Sequence, residues 1–84
     1  MANTFFALMA EYETAVVPVA VVAKKYFNHD ERKAKQECLR QGYPFPVFRL
    51  GSNKSEWMVS ITDLAQYIDQ ARDKATKEFK AVTS

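Results

Sequence analysis

Cysteine occurs once in this 84-residue chain, at Cys38, so no intramolecular disulfide can staple the fold. A lone thiol suits a reducing compartment, and with nothing nearby to activate it Cys38 reads as a small core hydrophobe. Histidine also occurs once, at His29. One imidazole and one distant thiol match no usual metal-ligand spacing, so His29 reads as a turn residue and no metal site is expected. Two glycines and three prolines exclude collagen-like and low-complexity classes. There is no glycine-rich phosphate loop and no serine or cysteine triad pattern. Asp63 and Asp69 fall on different faces of a helix and make a poor acid/base pair. No catalytic residue, enzyme activity or cofactor is therefore expected. Excess charge is also scarce, with a formal net of only +2, so any nucleic-acid binding has to come from where the cations are placed. Long apolar runs are absent too. Phe5-Phe6-Ala7-Leu8-Met9-Ala10 is too short for a membrane span or signal segment, and Glu11 and Glu13 follow it. The expectation is a soluble, cytoplasmic protein with no membrane partner.

What is present is a patterned hydrophobic half of the chain, enough for one modest core. Asn3 or Thr4 can cap a first helix whose apolar face is Phe5, Leu8, Met9 and Tyr12. Val16 and Val17 suit a brief extended segment before Pro18, which fits the first position of a new helix. Val19, Val22, Ala23 and Tyr26 then repeat the helical spacing. Lys24 and Lys25 near its end suit a helix C-terminus. Asp30 is a good N-cap for a helix from about Glu31 to Gln41, stopped by Gly42. Ala34, Cys38 and Leu39 face inward in this reading, with the stem of Lys35 along the edge. Two prolines keep Tyr43-Pro44-Phe45-Pro46 out of any helix. Val47–Leu50 and Glu56–Ser60 have strand character around a polar tip of about five residues, a common hairpin length. Ser60 or Thr62 caps a last helix carrying Ile61, Leu64, Ile68, Ala71, Ala75 and Phe79 along one seam. That seam outruns what so small a body needs, so it folds back on the first helix or meets another copy.

The fold class that follows is α+β: a small winged helix-turn-helix, with helices and one two-stranded antiparallel β-hairpin as the wing. Residues 1–84 form a single domain in this reading. Its parts are a helix-turn-helix over 17–42, the wing over 46–60 and a C-terminal helix over 61–80. Such a fold places the second helix of the pair in the major groove and the hairpin tip on a neighbouring backbone strand.

Candidate DNA-binding residues follow from that placement. Arg32, Lys33, Gln36 and Arg40 lie on one side of the proposed reading helix, and arginine to guanine and glutamine to adenine are the usual base contacts. A solvated charged face is the alternative. At the wing, Lys54 and Arg49 can neutralise phosphates, while Ser52, Asn53 and Ser55 offer short hydrogen-bonding side chains. The alternatives are an ordinary polar turn and an Arg49–Glu56 pair across the hairpin. Lys24 and Lys25 suit either phosphate contact or the helix dipole. Lys74, Lys77 and Lys80, mixed with Asp73 and Glu78, read as a solvated face. The aromatics Phe5, Phe6, Tyr12, Tyr26, Phe27, Phe48 and Trp57 read mostly as core.

The blocks Phe6-Ala7-Leu8-Met9-Ala10-Glu11-Tyr12, Val17-Pro18 and Tyr26-Phe27 belong to a recognisable series. It continues through Phe45-Pro46, Arg49 and Ser52-Asn53-Lys54-Ser55 to Asp63-Leu64-Ala65-Gln66-Tyr67-Ile68-Asp69. In order and spacing, from about Thr4 to Arg72, these resemble the pyocin activator protein (PrtN) family, and more distantly phage excisionases and MerR-type winged-helix heads. The resemblance implies a small DNA-binding regulator of a phage-like element. The chain departs from it at Trp57-Met58 and over Asn28–Gln41, the stretch holding the proposed reading helix.

The expected function is a sequence-specific double-stranded DNA-binding transcriptional activator of a phage or integrated mobile element. The alternatives are a recombination directionality factor (excisionase) that bends attachment-site DNA, and a protein-interaction module of antirepressor type. One such module is rarely selective alone, so a homo-oligomer or cooperative assembly on DNA is expected. Trp57, Leu64, Ile68, Ala71, Ala75 and Phe79 are its candidate contacts, and RNA polymerase or an integrase are candidate protein partners.

Overall fold

The computed structural model describes residues 3–51 and 55–83. Helix α1 (Thr4–Tyr12) leads to strand β1 (Val16–Pro18) and helix α2 (Val19–Val22), which continues directly as a π-helical turn, Ala23–Phe27. Helix α3 (Glu31–Leu39), strands β2 (Phe48–Arg49) and β3 (Trp57–Ser60), and helix α4 (Ile61–Thr83) follow. The result is a small α+β protein with four helices and a three-stranded antiparallel sheet, an arrangement compatible with a winged helix.

The sheet has one strand more than the expected two. Strand β3 is central, with β2 on one side and β1 on the other. Val17 sits opposite Val59, Pro18 opposite Met58, and Arg49 opposite Trp57. Proline has no N–H to donate to a ladder, so Pro18 is tolerable here because β1 is an edge strand. The extended character of Val16 and Val17 is as expected; their pairing is the addition, with β3 as the partner.

The π turn corrects another expectation. Tyr26 was expected inside by α-helical spacing, yet it is exposed and Phe27 packs on the core instead. A π turn closes i to i+5 bonds and takes more residues per revolution. That widening swings Phe27 onto the stripe of Val19, Val22 and Ala23. Asn28 ends the helix in the left-handed region at φ 56°. Phe27 then joins a ring cluster, with centroids 5.1 Å from Tyr43, 6.1 Å from Phe45 and 5.8 Å from Tyr67. His29 lies in the turn, its Nδ1 2.9 Å from the Tyr43 hydroxyl.

Leu8, Val17, Val19, Val22, Val59, Ile61 and Leu64 make the centre of the core, with Cys38 among them. Burial pushes the Cys38 thiol up to about 11, which keeps it an unreactive thiol. Phe5 and Phe6 belong outside the core rather than in it. Both are exposed and pack edge to face on each other at 5.4 Å, because α1 buries only the stripe around Leu8. Asn3 does not cap α1 through its side chain; the Thr4 hydroxyl donates to Asp69 of α4 at 2.5 Å. At the start of α4, Ser60 Oγ accepts from the Thr62 amide at 3.2 Å. No helix among the described residues is long and apolar enough to cross a membrane.

Candidate nucleic-acid interface

Helix α3 is fixed at its start by Asp30, whose carboxylate accepts from the Lys33 amide at 2.8 Å. Such a cap is worth about 1 kcal/mol, because it satisfies an amide with no partner inside the helix. The helix stops earlier than expected, at Leu39, and Gly42 is not the residue that reverses the chain. Gln41 takes the left-handed conformation at φ 51°. A non-glycine residue is strained there, and side-chain pairing offsets the cost. The Gln41 amide donates to the Val47 carbonyl at 3.0 Å and accepts from the Val47 N–H at 3.2 Å, as a neighbouring strand would. Gly42 matters for a different reason: a Cβ there would force the Glu37 carboxylate to move.

The buried stripe of α3 is Ala34, Glu37 and Cys38. Leu39, expected inside, is 68% exposed. One residue beyond Cys38 is about 100° further round the helix, and Glu37 occupies the inward slot instead. That carboxylate is clamped by cations of its own helix. Arg40 donates through Nη2 and Nε at 2.6 and 3.2 Å, and Lys33 Nζ lies at 3.1 Å. Hydrogen bonds from Arg40 and then Lys33 hold the Glu37 carboxyl below its ordinary value. The four proposed base-reading residues thus divide into two pairs. Lys33 and Arg40 are both engaged with Glu37, while Arg32 and Gln36 stand on the open face and make no ion pair among the described residues. Lys35 and Leu39 share that open face. Sequence reasoning put Lys35 at the edge and Leu39 inside. Reading strict helical phase from Ala34 and Cys38 alone turns Leu39 outward and leaves Lys35 at the edge.

Between α3 and the wing lies an open groove of about 510 Å³. Glu31 and Lys35 line it from α3, and Arg49, Ser55, Glu56 and Trp57 line it from the wing side. The Arg49 guanidinium lies over the Trp57 ring, 4.3 Å from the centroid. A cation stacked this way is held by the ring quadrupole at about 0.5–1 kcal/mol. Trp57, half-buried against the core, serves as that platform.

The remaining proposed contacts are dispersed. Lys24 is exposed on the π turn. Lys25 beside it is an ion-pair partner of Glu11 and lies 5.5 and 5.4 Å from the Tyr12 and Tyr26 ring centroids. Ser52, Asn53 and Lys54 lie outside the described residues. Of the proposed self-association residues, Leu64 is fully buried in the chain's own core and Ile68 is partly covered. Ala71, Ala75 and Phe79 are exposed. No group of three or more histidine, cysteine, aspartate or glutamate side chains could hold a metal ion among the described residues.

No curated protein and no solved structure matches the chain significantly. The family description Pyocin activator protein PrtN matches residues 4–75, which takes in every strand, α1 to α3 and the buried half of α4. That span covers both walls of the groove, and by it the chain belongs to the pyocin activator protein PrtN family.

Proposed function

We propose that this protein is a transcriptional activator that binds double-stranded DNA with α3 in the major groove and the wing against an adjacent backbone strand, in the bacterial cytoplasm. The family name supports the activator role, and its reference to pyocin supports a phage-like or integrated element as the source of the genes controlled. The observation that carries DNA contact is the joint placement of cations on two walls of one groove: Lys35 from α3 and Arg49, stacked on Trp57, from the wing. Phosphate oxygens meeting those walls would release counterions, while Arg32 and Gln36 on the open face of α3 reach base edges. Leu39 beside them offers an apolar contact of the kind that thymine methyl groups accept. Lys33 and Arg40 act in this reading as clamps on Glu37 first and as phosphate partners second.

The testing experiment is binding of the full chain to mixed double-stranded DNA over a salt series, wild type against Arg32→Ala/Lys35→Ala. The expected outcome is salt-sensitive binding whose log–log slope becomes shallower in the variant by about one, for the lost phosphate-neutralising Lys35, while loss of the base-reading Arg32 lowers affinity. Binding with the same slope in both proteins would remove α3 from the interface. No binding at low salt would favour the protein-interaction reading, to which the exposed half of α4 lends support.

A further inference from the structure

Beyond Ile68, every described residue of α4 is exposed, although the apolar seam continues through Ala71, Ala75, Phe79 and Val82. Phe79 is 66% exposed and Val82 84%. The body of the protein therefore uses the seam only as far as Ile68. At about 100° per residue, Ile68, Ala71, Ala75, Phe79 and Val82 all fall within about 40° of Ala75, a single narrow stripe. Their intervals read the same in both directions from Ala75. We propose that this stripe is the docking surface for a second copy of the chain, with the two α4 helices packed antiparallel about a two-fold axis at Ala75. The inference is independent of DNA binding.

Shape and charge both favour this occupant and this direction. A two-fold at Ala75 sets Ala71 of one copy against Phe79 of the other, small against large, and Ile68 against Val82. The small Ala75 side chains at the axis let the helices approach closely. On one flank of the stripe stand Lys74 and Glu78. An antiparallel partner brings its own Lys74 and Glu78 along the same flank in reverse order, so that each lysine meets the other copy's glutamate, twice over. On the other flank Arg72 comes beside the partner's Phe79 ring, where a guanidinium is welcome. A parallel partner would instead bring Arg72 beside Lys74, a like-charge contact. The uncovered segment, 69–83, is about 22 Å long, which places the contact at the small end of interface sizes. Association is accordingly expected to depend on protein concentration.

The test is sedimentation of the full chain over a concentration series without DNA, with circular dichroism to check each variant's fold. Wild type is expected to dimerise, and Phe79→Ala to weaken dimerisation by at least roughly tenfold, as loss of a central aromatic anchor does. Lys74→Glu alone and Glu78→Lys alone each place like charges on the flank, so each should associate more weakly than wild type. An equimolar mixture of the two restores both opposite-charge contacts between unlike copies and should dimerise again. Recovery on mixing supports the antiparallel pairing, because a purely intrahelical effect of either substitution cannot be repaired by another molecule. Three outcomes would overturn it: a wild type that stays monomeric, dimerisation unmoved by Phe79→Ala, and single charge variants that weaken without recovery on mixing. A monomeric wild type would assign the stripe to a different protein.

Discussion

The two halves of α4 carry the same kind of pattern and have different fates. Ile61, Leu64 and Ala65 are sealed in the core where α4 packs on α1 and β3, whereas Ala71, Ala75 and Phe79 continue the stripe into open solvent. Periodicity tells which face of a helix is apolar. It does not tell how far the rest of the chain reaches to cover it. Coverage ends near Asp69, where Thr4 of α1 makes its hydrogen bond and the short α1 runs out. The molecule is in consequence elongated, 51 Å along its longest axis and 26 × 17 Å across. Helix α3 shows the same contrast around its circumference, with Ala34, Glu37 and Cys38 inside and Arg32, Lys35, Gln36 and Leu39 outside.

The sharpest way to break the comparison is to truncate one side chain in each half. Leu64→Ala should cost about 2–5 kcal/mol of stability through lost burial and a cavity. Phe79→Ala should change the stability of dilute protein by less than about 0.5 kcal/mol. Urea denaturation of both variants checks this, and equal costs would mean that the outer half is covered in the monomer. A smaller effect concerns the start of α3. Asp30→Ala removes the accepting carboxylate and should cost about 1 kcal/mol, read in the same denaturation experiment.

The inner slot of α3 gives a pH-dependent prediction. Arg40 and Lys33 lower the folded-state pKa of Glu37, so the carboxylate stabilises the fold above the ordinary glutamate range. That contribution is lost as pH falls through the lowered folded value. Glu37→Gln should therefore be less stable than wild type near neutral pH, with the difference vanishing in strong acid. A difference that grew on acidification would contradict the clamp. The smallest expected effect lies on the groove wall. Trp57→Leu removes the ring under Arg49 while keeping an apolar filler, and should weaken DNA binding modestly while leaving the salt slope unchanged. An unchanged affinity would show that Arg49 needs no platform.

Much of the scaffold was legible because its signals are local. Asp30 before a helix, Ser60 before another, and prolines in Tyr43–Pro46 act through neighbouring backbone groups, and each does so in the structure. The candidate interface was legible in part. The cations of α3 were identified, but their division was not. Glu37 is not legible as an inward residue because a carboxylate rarely turns inward unless partners are in reach, and those partners, Lys33 and Arg40, read as outward-facing cations. Arg49 over Trp57 depends on strand register, which places the two residues opposite each other.

By itself the sequence determined the starts of α3 and α4, the proline break and the blocks that mark the family, since all of these are set by side-chain chemistry within a few residues. Tertiary structure alone decided the rest. It added β1 to the sheet because β3 had a free edge, and rotated Phe27 inward because an aromatic cluster awaited it. It drew Glu37 under Arg40, and left Leu39 and the outer half of α4 uncovered. These outcomes depend on which distant surfaces are close enough to exclude water, and that is fixed only when the elements pack together.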